Sequence, residues 1–112
     1  MKVGEVSKAL NLKVLARSRE RSVKDGYVSD MLSDVIANAE EGCLWITVQR
    51  HLNIIAVAQL KKIAGIIISH GGQPEAAVIE KAEQEGIFIL QSDESSFAVA
   101  GKLYSLIHHP SR

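Results

Sequence analysis

Three polar runs hold most of the side chains in this chain that can do chemistry. The first is Gln49-Arg50-His51 with Asn53, the second is Ser69-His70-Gly71-Gly72, and the third, residues 91–95, adds Asp93 and Glu94. Arg50 supplies a permanent forked cation of the kind that clamps phosphate or carboxylate. His51 and His70 supply ring nitrogens that can donate, accept or ligate. With Asp93 they make a His/His/carboxylate set, the donor chemistry of a metal site, though no tight ligand spacing supports it. Gly71-Gly72 lies between three isoleucines and Pro74. This predicts a sharp strand-to-helix turn, a helix opening at Pro74, and backbone N–H groups directed at the space above the helix start, where an anion fits. The plainer alternatives are an Arg50 paired with Asp93 or Glu94 and a glycine pair that only serves the turn. No Gly-Lys-Ser/Thr follows, so this is not a Walker loop, and the glycine spacing of a dinucleotide fingerprint is missing.

Other reactive side chains have structural readings. Cys43 opens an apolar segment with no His near it in sequence and reads as a buried thiol. Ser92, Ser95 and Ser96 read as helix caps, with nothing like a nucleophile elbow around them. Trp45 and Tyr27 read as core or interface, and His108-His109 beside Pro110 as a tail.

These runs need elements to position them, and hydrophobic periodicity supplies the elements. Helices are predicted at residues 4–10 (Val6, Ala9 and Leu10 inward), from Ser29 or Asp30 to 39 (Met31, Leu32, Val35, Ile36 and Ala39), 53–63, 74–85 (Ala77, Val78 and Ala82 inward) and 95–107. Strands are predicted at 12–16, 23–28, 43–48, 65–69 and 87–90. Ser29 or Asp30, Asn53 and Ser95 are candidate N-caps. Lys61 and Lys62 belong in the last turn of their helix, where the dipole favours cations. Gly86 supplies a left-handed stop. Residues 17–25, rich in both charges, read as an exposed mobile loop. The later strands are short and nearly all apolar, at spacings of about twenty residues that fit right-handed crossovers. The expectation is α/β: a single domain over residues 1–112, with a mainly parallel sheet of about four to five strands and helices on both faces. Loops leaving the carboxyl ends of parallel strands share one edge, so the three polar runs are expected to converge there.

Composition bounds the function. Thirteen basic and thirteen acidic residues cancel to +0, which gives no long-range pull toward nucleic acid or an anionic membrane. The one cysteine permits no internal disulfide and fits a reducing compartment. No signal peptide opens the sequence, and no apolar run reaches the roughly 20 residues a membrane span needs. A cytoplasmic domain is expected.

The segments Thr47-Val48-Gln49-Arg50-His51-Leu52-Asn53 and Ser69-His70-Gly71-Gly72 resemble the two short motifs of the DRTGG domain family. The flanks Gly26-Tyr27-Val28-Ser29-Asp30-Met31-Leu32-Ser33-Asp34-Val35 and Leu44-Trp45-Ile46-Thr47-Val48 are similar to its short stand-alone members. Gln49 replaces an acidic residue of the family pattern and His70 a threonine. The resemblance implies a fold like the amino-terminal domain of HPr kinase/phosphorylase, without the kinase. It also implies a regulatory or assembly role of the kind such domains have inside phosphotransacetylases and beside CBS domains in some pyrophosphatases. The expected function is a non-catalytic module, without cofactor, that senses an anionic metabolite or nucleotide through Gln49, Arg50, His51, Asn53, Ser69, His70, Gly71, Gly72 and Asp93. It is expected to form a homodimer or to join a larger enzyme. Two alternatives stand beside it: a small enzyme using His51 or His70, with a possible metal, and a purely structural assembly domain presenting Val99, Leu103, Tyr104 and Ile107.

Overall fold

The computed structural model describes residues 1–108; His109 and Pro110 lie outside them. The elements run α1 (Val3–Ala9), β1 (Lys13–Ala16), β2 (Asp25–Val28), α2 (Leu32–Asn38), β3 (Cys43–Thr47), α3 (Asn53–Leu60), β4 (Gly65–Ile68), α4 (Ala76–Glu85), β5 (Ile89–Gln91) and α5 (Ser96–His108). One sheet forms in the order β1-β5-β4-β3-β2. β2, β3, β4 and β5 are parallel, and β1 pairs antiparallel with β5 across a register shift between Val14 and Ala16. This is the α/β domain that the alternation of elements predicts.

The period-2 geometry of a strand divides the core in two. Trp45, Ile66, Ile68 and Ile89 face one layer with α2, α3 and α4. Leu44, Ile46, Ile67, Phe88 and Leu90 face the other with α1 and α5. Ile66, Ile67 and Ile68 are all fully buried. Burial on both faces is why they carry no polar alternation, and each contributes about 1.5–3 kcal/mol. Gly26 lets α5 close onto β2, since a Cβ there would lie 2.8 Å from Leu103 Cδ2.

Several predicted ends move. Asp30 does not cap α2, whose cap position is Met31 with no side-chain bond. Its carboxylate instead accepts from Thr47 Oγ1 at 2.9 Å and from the Val48 N–H at 2.8 Å, tying down the exit of β3. Asn53 is the first residue of α3 rather than its cap, because the turn begins at His51 with Ile54 N–H bonded to the His51 carbonyl. Pro74 is buried two residues before α4, and Glu75 takes the cap position. Proline's fixed φ suits an extended approach as well as a first helical turn, and burial selects the approach. α3 stops at Leu60, so Lys61 is its C-cap and Lys62, at φ 52°, lies beyond it. Ala9, Met31, Ile36 and Ala77 are exposed, because these short helices bury a narrower stripe than the predicted one. Gly86, at φ 71°, ends α4 as predicted. Ser95 caps α5, its Oγ accepting from the Ala98 N–H at 3.1 Å.

The charged run at 17–25 is not a free loop. Val3 N–H bonds to the Arg21 carbonyl and Val23 N–H to the Met1 carbonyl, with Lys2 and Ser22 paired between them. Glu20 accepts from the Gly4 N–H, and Ser18 Oγ donates to the Gly86 carbonyl. Backbone pairing needs no apolar side chains, so it left no trace in the hydrophobic pattern.

Candidate functional site

β3, β4 and β5 are parallel neighbours, so the loops after Thr47, Ile68 and Gln91 open onto one rim, which gathers the three polar runs as predicted. Their side chains divide into those that build the rim and those it leaves free.

The builders are numerous. Gln49 N–H donates to Thr47 Oγ1, and Gln49 Nε2 donates to the Asp30 carbonyl at 2.8 Å. A carboxylate at position 49 could not donate that bond. Ser69 is buried, its hydroxyl 2.6 Å from that of Ser96. Gln91 Nε2 donates to the Gly72 carbonyl at 2.7 Å. His70 occupies the left-handed region at φ 58°, and its Nε2 accepts from the Ser96 N–H at 3.3 Å, which satisfies a donor at the start of α5. Asp93 lies over the turn, with Oδ1 3.2 Å from the point a Cβ on Gly71 would occupy.

The predicted backbone cradle is absent. His70 N–H bonds to the Glu94 carbonyl, Gly71 N–H to that of Ser92, and Gly72 N–H to that of Ser69. The left-handed conformations of His70 and Gly71 fold the turn back onto the β5–α5 connection, which takes the first two donors, while the third closes the turn on Ser69. None of these three N–H groups is left to meet an anion.

Arg50, His51 and Asn53 are exposed. Arg50 and His51, with Gln73 and Glu75, line a cavity of about 190 Å³ beside the Gly-Gly turn. Arg50 makes no ion pair among the described residues, and Glu94 pairs with Lys102 at 2.7 Å, so the predicted Arg50 partnership with Asp93 or Glu94 does not form. Among the described residues no three His, Cys, Asp or Glu side chains gather closely enough to hold a metal, so His51, His70 and Asp93 do not make the set considered above. The reason is that the His70 lone pair turns inward to α5.

Other titratable groups serve the fold. Cys43 is buried and its thiol is pushed up to about 11 by desolvation. Tyr27 donates from its hydroxyl to both Asp34 oxygens at 3.0 and 2.9 Å. Hydrogen bonds from Ser29, Asn38 and Tyr27 hold the Asp34 carboxyl below its ordinary value, and the Asp34 bond raises Tyr27. Trp45 is fully buried and donates to the Ser29 carbonyl at 2.8 Å.

A second feature lies between α5 and β2. An apolar groove of about 140 Å³ is lined by Gly26, Val28, Ile46, Ala100, Leu103 and Tyr104, among others. Beside it Phe97 is 89% exposed and Tyr104 61%. Val99 and Leu103, expected to share an assembly surface, are instead buried beneath it in the chain's own core.

The architecture is thus a five-stranded α/β domain with its polar loops gathered at the carboxyl edge of four parallel strands. The DRTGG domain model matches residues 5–106, so the chain belongs to the DRTGG domain family. Among solved structures it is similar to the CBS and DRTGG domains of the regulatory region of Clostridium perfringens pyrophosphatase, crystallised with the activator diadenosine tetraphosphate. The TM-score is 0.71 at 18% identity, over 90% of this chain and 46% of that one. At that identity the likeness is one of fold, and the present chain spans a little under half the length of its neighbour. No curated protein matches the sequence. No helix among the described residues is long and apolar enough to cross a membrane.

Proposed function

We propose that this domain is a non-catalytic regulatory module that binds an anionic metabolite or nucleotide at the rim. The observation that carries the reading is Arg50: an exposed guanidinium with no ion-pair partner among the described residues, beside His51, Gln73 and Glu75 in the cavity next to the Gly-Gly turn. Gly71 and Gly72 shape that wall. Gln49, Ser69, His70 and Asp93 fix the loops, and Asn53 adds an exposed amide at the start of α3. Family membership and the regulatory setting of the pyrophosphatase neighbour support a sensing role, and its activator makes dinucleoside polyphosphates the first ligands to try. The test is a thermal-shift series with mononucleotides, diadenosine tetraphosphate and phosphorylated sugars on wild type and Arg50→Ala. A ligand at about 100 times its Kd adds about 2.7 kcal/mol to the native state. At least one anion is expected to raise the wild-type Tm and lose that effect in Arg50→Ala. Identical responses of the two proteins to every anion would refute the rim as the site.

Assembly is a second reading, carried by Phe97 and Tyr104 beside the apolar groove and by the open edge of β2. A homodimer, or docking onto a larger enzyme, would cover them. Sedimentation is expected to show a dimer that Phe97→Glu with Tyr104→Glu converts to monomer; a monomeric wild type at high concentration excludes the homodimer.

A further inference from the structure

The opposite end of the sheet holds a cavity of about 300 Å³ lined by Arg21, Ser22, Lys24, Glu41, Gly42, Lys62 and Ala64. Its three cations come from separate parts of the chain. Arg21 and Lys24 lie in the segment pinned beside α1, and Lys62 follows α3. None of the three, nor Glu41, makes an ion pair among the described residues. A fourth cation is adjacent, since Lys2 Nζ lies 3.4 Å from Ser22 Oγ. The cavity wall therefore sets one acidic group against three basic ones, with Lys2 next to it, in a protein whose total charge is +0.

The backbone fixes this arrangement. Lys24 N–H bonds to the Gly42 carbonyl, and Gly42 N–H bonds to the Lys62 carbonyl. The Lys24 stem crosses Gly42, where a Cβ would come within 3.0 Å of its Cδ. The dipole at the carboxyl end of α3 favours a cation nearby, which accounts for Lys62; Arg21 places one guanidinium nitrogen 3.5 Å from the Gly86 carbonyl at the end of α4, and neither end accounts for Lys24. Like charges brought together without counter-charges repel one another, and a multiply charged anion relieves that repulsion.

We propose that this cavity is a second anion site, specific for a free diphosphate or longer phosphate chain, and separate from the rim. An Arg fork and two or three ammonium groups suit two adjacent phosphates better than one carboxylate. The volume accommodates an anion of that size.

Amide NMR of the full chain at low salt, titrated with inorganic pyrophosphate, tests the assignment. Saturable shifts are expected at Ser22, Lys24, Gly42 and Lys62, with weaker binding as salt rises. Lys24→Gln and Lys62→Gln should each weaken binding about fivefold. Glu41→Gln, an exposed change that leaves the fold alone, should tighten it by a similar factor. Arg50→Ala should leave it unchanged, which separates this site from the rim. Shifts that sodium chloride reproduces at equal ionic strength, or shifts confined to Arg50, His51 and Gln73, would overturn the proposal. Sedimentation with phosphatidylserine vesicles without a response to pyrophosphate would also overturn it, by placing the phosphate on a lipid.

Discussion

The two ends of the sheet handle polarity in opposite ways. At the carboxyl rim, loops rich in donors and acceptors spend many of them on one another: the N–H groups of His70, Gly71 and Gly72, the amides of Gln49 and Gln91, and the lone pair of His70 all have partners within the fold, and Arg50 stands out against them. At the amino end, Arg21, Lys24 and Lys62 line a cavity and make no ion pairs among the described residues. Polar residues at a strand's carboxyl end are therefore not by themselves free for ligand, and a charged connection is not by itself idle. What separates the ends is how much charge is left over: one guanidinium at the rim, and three cations together at the amino end.

If the rim is built as a locked structure, the largest effect should come from Gly72→Ala. Its Cβ would come within 2.9 Å of Ile68 Cγ2, a methyl one bond from the Cβ of a buried strand residue, with no flexible end to move aside. A loss of about 1–3 kcal/mol in urea unfolding is expected; a neutral result would mean that the rim has slack. Asp30→Ala should cost about 1–2 kcal/mol by the same measurement, because Thr47, fully buried, loses the acceptor of its hydroxyl.

The two left-handed residues sharpen the contrast. Lys62 (φ 52°) and His70 (φ 58°) both occupy a region that glycine takes more cheaply. Lys62→Gly should raise stability by about 1 kcal/mol, since no hydrogen bond of its side chain is lost. His70→Gly should gain about the same from the backbone and lose it again with the bond to Ser96, for a net change near zero. Equal gains at both positions would refute the claim that the His70 ring supports α5.

The smallest effect concerns Cys43, which begins β3 under the amino end. Its ordinary value is 9.0, and burial pushes the folded thiol up to about 11. Below pH 9 both states hold the proton, and this group adds no pH dependence. Between about 9 and 11 the unfolded chain ionises first, so stability falls as pH rises. Cys43→Ala should flatten that part of the stability curve, and native Cys43 should resist a thiol-specific disulfide reagent near pH 8 until the protein unfolds.

Much of the fold was legible in the sequence because apolar strands and helix stripes repeat with fixed periods. Ile66, Ile67 and Ile68 announced a doubly covered strand, Gly86 a stop, and Ser95 a cap. The caps at Asp30 and Asn53 were illegible because the same side chains serve equally well in longer contacts, as Asp30 does across to β3. Clustering of the rim residues followed from topology, whereas the loss of the Gly-Gly cradle did not, since a left-handed histidine leaves no mark in composition. Arg21, Lys24 and Lys62 were missed as a group. Charge runs usually describe solvated surface, and these three are brought together by backbone bonds that hydropathy cannot register.

One imidazole nitrogen has a single electron pair, and here Ser96 holds it. A molecule that drew the His70 ring toward the rim would leave the opening turn of α5 short of an acceptor, one residue from Phe97. Occupancy at the sheet edge and the posture of that exposed aromatic are therefore competing claims on the same atom.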